Sequence, residues 1–364
     1  MFYFTLGSSI PYFSKFFSSL EIHGSNLGMI FAVGSFLAMA IQPILGYLND
    51  KTKKSKEILV VITLMIVGAL FFMTFIHSVY GILILFSIYS MAVFSEFPLM
   101  DTVTLSSPHP FGKIRLWGSI GFAAGALVSG KVIELFGEIS FLYLGIIVGI
   151  ITIILILRVP MKIKETHEEE GKVDLKALLQ NKKYLIFVGV SMLFLGSNNG
   201  HNSYFGIYFN DIGGSMALLG VTIFLMTLSE VPFMGVSTKL INKKGVEFAV
   251  TLSIFFLTLR WLLYFLFPTP YVVTGSFLIQ GASVGLFFAT ANLFVRSIVD
   301  KSTLGTAITI FMAAGSLGGM FFQYISGILI DKYSSVYIYI FFALLTFVAL
   351  ILMFIGKKIK KGNL

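Results

Sequence analysis

Long apolar blocks of about 20 residues, separated by short polar loops, set the pattern of this chain. Each block is long enough for a helix to cross roughly 30 Å of hydrocarbon. Twelve blocks can be read, near residues 1–20, 26–48, 57–76, 79–105, 112–136, 139–159, 184–209, 214–241, 247–267, 271–298, 303–330 and 335–356. The longest polar stretch, MKIKETHEEEGKVDLKALLQNKK at 161–183, divides six blocks from six. The expected organisation is an N-terminal six-helix half at 1–160, a cytoplasmic linker at 161–183 and a C-terminal six-helix half at 184–364. Within the linker, VDLKALLQN has the spacing of a short amphipathic helix. The fold class expected is all-α, a membrane protein of twelve transmembrane helices.

Composition agrees. Hydrophobic residues make up 57% of the chain and charged residues only 12%, about half the charge of a soluble domain. The net charge of +9 comes from alternate loops. Lys51, Lys53, Lys54 and Lys56 follow the second span, and Lys113 follows the fourth. Arg158, Lys162, Lys164, Lys172, Lys176, Lys182 and Lys183 follow the sixth. Lys239, Lys243 and Lys244 follow the eighth, Arg296 and Lys301 the tenth, and Lys357, Lys358, Lys360 and Lys361 the last. The opposite loops carry only Lys131 and Lys332. The positive-inside rule then puts both termini in the cytoplasm, in a multi-pass protein of the cytoplasmic (inner) membrane. The charge is this bias and not a nucleic-acid footprint, and the KKIKK tail suits an anchor on anionic lipid. No basic n-region precedes the first apolar block, so a cleaved signal peptide is not expected.

The halves repeat each other. An offset of 192 takes Tyr12-Phe13 to Tyr204-Phe205, Gly28 to Gly220 and Asp50-Lys51 to Asn242-Lys243. Near the ends of the halves the offset is 197, taking Gly118 to Gly315, Gly121 to Gly318, Ser129-Gly130 to Ser326-Gly327 and Glu134 to Asp331. Parallel repetition of six-helix halves points to alternating-access transport. The same offset places the start of the first span before Met1, so a miscalled start is expected.

Some residues break the apolar pattern at bilayer depth, where charge costs several kcal/mol and usually marks an ion or solute path. They are Asp101, Arg115, Glu230 and Arg260, with Glu96 in span four and the run SNNGHNSY at Ser197–Tyr204 in span seven. Asp101 and Arg115 each lie seven residues from Pro108, at matched depth on adjacent spans. A carboxylate and a planar guanidinium can hold a hydroxylated or carboxylated solute in fixed geometry, or form a structural ion pair. Glu230 and Arg260 can act as a proton carrier and its tuner, or simply tie two helices. Asn202 and Tyr204 can donate to a solute. His201 can relay a proton or be a packed hydrogen-bonding group, and Glu96 can be a carrier or a satisfied interior carboxyl.

Several stretches carry a family resemblance. GYLNDKTKK, from Gly46 to Lys54, resembles the loop signature G-x-L-x-D-[RK]-x-G-[RK] of the major facilitator superfamily, with Lys53 in place of its second Gly. That resemblance implies a conformational latch at Gly46, Asp50 and Lys51, the Gly allowing close helix packing. FGKIRLWGSIGF at Phe111–Phe122, with PLMD ending at Asp101, SEVPFM at Ser229–Met234 and LRWLLY at Leu259–Tyr264, is similar to the proton-coupled sugar permeases and their relatives for nucleosides and 3-phenylpropionate. The resemblance implies that Asp101 and Arg115 bind the solute, that Phe122 offers it an aromatic face, and that Arg260 and Glu230 couple a proton. The family's His and Glu of span ten fall here near Gln280 and Ser283. Gln280 is grouped with the solute-binding residues. The proton role would then pass to Glu230, Glu96 or His201.

These features imply a secondary active transporter, taking up a small polar solute (a sugar, nucleoside or aromatic acid) together with H+ and working as a monomer without cofactor. A drug or metabolite exporter of the same fold is the alternative. The Gly-rich span five lacks the Pro that exporters show there. A sensor that no longer transports is a third reading. An intramembrane enzyme is not expected: the chain has no Cys and no HExxH, so it lacks a thiol nucleophile and that zinc-binding signature.

Overall fold

The computed structural model describes residues 1–52, 54–105, 111–158, 175–300 and 303–358. All twelve predicted spans are helical within it. Span one covers residues 2–19. Span two is Gly24–Thr52, three Ser55–Met73, four Val79–Leu105, five Phe111–Phe136 and six Ser140–Arg158. Span seven is Lys182–Asp211, eight Met216–Lys244 and nine Val246–Leu266; span ten covers 270–298, eleven is Leu304–Lys332 and twelve Tyr337–Lys358. The expected linker helix is present as Leu175–Gln180, with Leu178 buried.

Ten helices among the described residues are long and apolar enough to cross a membrane. The other two are spans one and seven, each for a local reason. Span one is interrupted by a 3-10 turn, Ile10–Tyr12, around Pro11, where the missing N–H breaks the α-helical ladder. Span seven contains the polar run from Ser197 to Tyr204, which lowers its hydropathy.

Span ten, read from sequence as one helix, is composite. Thr269 caps its start by accepting the Val272 N–H, Pro270 follows in the first turn, and the helix is reset at Ser276. A π-helical turn, Gly281–Gly285, comes next; such turns recur at functional positions in helices. Here Gly281 and Gly285 stand against the backbone of Ser229 and Glu230 in span eight, where side chains would collide. The Ser229 hydroxyl also donates to the Phe277 carbonyl at 2.7 Å.

The chain forms two compact units. The first holds the described residues of the N-terminal half together with Asn202–Phe224 and Gln323–Lys332; the second holds the remaining described residues of the C-terminal half. In the first unit, span one packs on span five through small residues, as expected for helices in lipid. Gly7 abuts the Phe122 backbone, Gly125 abuts the Phe4 carbonyl, and Ser129 donates to the Ser8 carbonyl at 2.7 Å. Phe13 forms edge-on contacts with Phe86, Tyr89 and Phe141, each contributing about 0.5–1.5 kcal/mol beyond burial. In the second unit, Gly318 of span eleven lies against the Met192 carbonyl of span seven. Lys183 pairs with Glu247 at 2.9 Å, and Asn181 caps span seven while donating to the Ile298 carbonyl at 2.7 Å. The Gly-rich faces of spans five and eleven are therefore packing surfaces.

Candidate functional site

Arg260 is the organising residue of the second unit. It sits on the buried face of span nine with Leu257, Trp261 and Tyr264, and is only 1% exposed. Each of its three guanidinium nitrogens has a partner. Nε donates to Tyr264 Oη at 3.1 Å, one turn along the same helix. Nη1 donates to Gln280 Oε1 in span ten, and Nη2 meets His201 Nε2 in span seven at 2.9 Å. The rings of Trp261 and Tyr264 lie 4.7 and 5.2 Å from the guanidinium carbon, within reach of cation–π attraction.

Arginine only donates, and this fixes the protons around it. His201 must present a lone pair at Nε2, so its proton is on Nδ1, which donates to Tyr339 Oη at 3.0 Å. Gln280 must present Oε1 to Arg260, so its Nε2 faces span eight and donates to Glu230 Oε1 at 2.9 Å. One hydrogen-bonded line thus runs Glu230–Gln280–Arg260–His201–Tyr339, through spans eight, ten, nine, seven and twelve. Glu230 and Gln280 are half-buried, while Arg260 and His201 are buried.

The line has an unusual charge balance. The hydrogen-bond partners of Arg260 are all neutral, and among the described residues no carboxylate lies within ion-pair distance of it. A buried cation without a counter-ion costs several kcal/mol. Neutral acceptors and aromatic faces offset part of that cost here. Glu230, the nearest carboxyl along the line, is separated from Arg260 by one amide.

The first unit holds the other sequence candidates. Glu96 is fully buried in span four; Thr63 Oγ1 donates to its Oε1 at 3.2 Å, and its Oε2 has no hydrogen-bond partner among the described residues. Asp101, further along the same span, is half-buried. Phe122 is half-buried on span five, and Asn202 is exposed. Tyr204 is fully buried, and its hydroxyl donates to the Gln323 carbonyl at 2.8 Å. The side chains of Arg115 and Asp50 lie outside the described residues. At the expected latch, Lys51 lies over the Tyr47 ring at 5.8 Å. No described atom lies within 4 Å of where a Cβ on Gly46 would stand.

The sequence reading missed Gln280 as a bridge, and missed Tyr264, Trp261 and Tyr339 as the wall around Arg260. Tyr264 was legible, being four residues from Arg260 on one helix face. Tyr339 was not, because it arrives from another span.

Family comparison agrees with this architecture. The model of the MFS_1 like family matches residues 1–341, and the chain belongs to that family. It is a multi-pass membrane protein and a secondary transporter with the major facilitator fold. It is 29% identical over 352 residues to an uncharacterised transporter, YwbF, of Bacillus subtilis, covering 93% of this chain and 87% of that one. It is 27% identical over 365 residues to the maltose permease of Geobacillus stearothermophilus, covering 98% of this chain and 92% of the permease. Its fold matches the crystal structure of the nucleoside transporter NupG with a TM-score of 0.83, at 20% identity, over 99% of this chain and 97% of that one.

Proposed function

We propose that this transporter takes up a small polar solute together with a proton, and that Glu230 is the proton carrier. The observation that carries the reading is the line Glu230–Gln280–Arg260. Glu230 is a half-buried carboxyl held by a neutral amide, and that amide is held by a guanidinium with no counter-ion among the described residues. Protonated, Glu230 is neutral and is satisfied by the Gln280 N–H. Deprotonated, it becomes the nearest anion along the line to a cation that lacks one, and the two attract. Gain and loss of one proton therefore changes the charge balance of spans eight, nine and ten together. Gln280 and Ser283 stand where the related permeases have titratable groups, and neither carries a proton near neutral pH, so a carboxyl elsewhere must do so.

Solute engagement falls to Asp101 and Arg115, supported by Phe122, with Asn202 available as a further donor. A hydroxylated or carboxylated solute suits this set. The maltose permease and nucleoside transporter names among its relatives are consistent with a sugar or a nucleoside. The protein works as a monomer in the cytoplasmic membrane, with both termini and the basic loops inside.

The test uses purified protein in liposomes with an imposed pH gradient. Glu230→Gln should retain solute binding and equilibrium exchange yet lose gradient-driven accumulation, because a glutamine mimics the protonated acid permanently. Accumulation that survives in Glu230→Gln removes the carrier role from Glu230 and moves it to Glu96 or His201. Wild-type uptake indifferent to the pH gradient removes proton coupling altogether.

A further inference from the structure

The internal repeat is visible in the packing of the first unit, at the span ends away from the basic loops. Tyr12 donates to the Ala126 carbonyl at 2.5 Å. Its repeat mate Tyr204 donates to the carbonyl of Gln323, the mate of Ala126, at 2.8 Å. Gly220 of span eight leaves room for the backbone of Ala126 and Leu127 in span five; its mate Gly28 of span two lies against the Gln323 and Tyr324 carbonyls of span eleven. Gly130 and its mate Gly327 close the same two seams. The N- and C-terminal halves therefore meet at this end along two related seams, one between spans five and eight and one between spans two and eleven.

The backbone geometry is repeated, but the side-chain chemistry is not. Ala126 has no side chain to reach across its seam. Gln323 does, and it is 5% exposed. Its Nε2 donates to Ser203 within its own half at 2.8 Å, which aims Oε1 across the seam to accept from Ser35 at 2.8 Å. Nearer the loop, Asp331 Oδ2 accepts the Ser25 backbone N–H at 2.8 Å. It thereby satisfies an otherwise open donor in the first turn of span two, where negative charge is favoured. Gly24 packs so close to Asp331 that any side chain there would collide. Glu134, the mate of Asp331, instead pairs with Lys131 in its own helix at 3.0 Å.

We propose that Gln323 and Asp331 form a one-sided bolt on the gate at this end. They tie spans two and eleven so that the gate is biased shut, while the seam between spans five and eight is held by close backbone packing. Opening this end separates the halves and must break the Ser35–Gln323 and Ser25–Asp331 bonds. The bias sets how often an alternating-access cycle exposes its far side, independently of what solute or ion is carried.

Spin-label distances test this directly. The chain contains no cysteine, so labels attach only where cysteines are introduced. One pair at Asn26 and Lys332 reports the seam of spans two and eleven, and a pair at Phe136 and Ser215 reports the other. All four positions are exposed. In lipid nanodiscs without solute or pH gradient, Gln323→Ala should raise the open-to-closed ratio about fivefold, the effect of one net hydrogen bond. Both pairs should lengthen, since the halves part together. Ser35→Ala deletes the same cross-seam bond from a half-buried hydroxyl and should raise the ratio to a similar degree, which guards against a folding defect in the first variant. Distance distributions unchanged in both variants would overturn the bolt, and would leave the proton-coupling reading untouched.

Discussion

Replacing Gln280 by glutamate tests whether Arg260 truly lacks a counter-ion. The substitution keeps the side-chain length and puts a carboxylate where the amide now stands, between Arg260 and Glu230. Two opposite unit charges about 3 Å apart attract by about 5–6 kcal/mol at an effective dielectric near 20. Desolvating the new carboxylate offsets most of this, leaving a net stabilisation of about 1–3 kcal/mol. The amide N–H to Glu230 Oε1, 2.9 Å in the native chain, becomes a contact between two carboxyl groups. These cannot both be ionised at that separation. The introduced group is held ionised by Arg260, so Glu230 must keep its proton. Gln280→Glu should therefore melt several degrees above the native protein in detergent, and should exchange solute while failing to accumulate it against a gradient. A lower melting temperature would mean that Arg260 is already compensated. Normal accumulation would mean that Glu230 does not release its proton at this point in the line.

Two further sets of variants probe the same architecture. Tyr264→Phe removes only the acceptor for Arg260 Nε and should cost about 1–2 kcal/mol in thermal stability, with less effect on solute affinity; a neutral result would show that the tyrosine serves by its ring alone. Asp101→Ala and Arg115→Lys should each abolish solute binding, read by isothermal titration, while the protein stays folded. Arg115→Lys binding normally would dismiss the need for a planar fork.

Much of the fold was legible because bilayer depth imposes a simple rule on composition. Apolar blocks of the right length located the helical segments along the chain, and the offsets of 192 and 197 gave the repeat. The two spans that fail a strict hydropathy test were still found, since Pro11 and the run around His201 interrupt otherwise apolar blocks. The reset at Ser276 and the π turn at Gly281–Gly285 were not legible, because they depend on how closely span ten approaches Ser229 and Glu230. The site followed the same division. Charges in apolar spans identified Arg260 and Glu230, and the polar run identified His201. That His201 meets Arg260 directly while Glu230 reaches it through Gln280 depends on which faces of spans seven to ten converge, and a one-dimensional pattern does not specify that. Tyr204 is a different case. Its chemistry suits a solute donor, yet its hydroxyl is directed to the Gln323 carbonyl.

The repeat also explains where function resides. Positions that match between the halves do the same structural work: Tyr12 and Tyr204 each bond a carbonyl of the mated helix, and Gly28 and Gly220 each admit a backbone. Positions that differ carry the charge and the polar bonds. Ser9, the mate of His201, bonds Tyr89 Oη at 2.6 Å within its own half, whereas His201 reaches Arg260. Ala126 makes no cross-seam bond, whereas Gln323 does. A symmetric frame is well suited to alternation, because two equivalent packings can trade places at small cost. Symmetric chemistry would give that exchange no direction and no coupling. The divergence of a few mated pairs, small against the shared glycine and tyrosine contacts, is enough to bias one gate and to place a titratable carboxyl in one half.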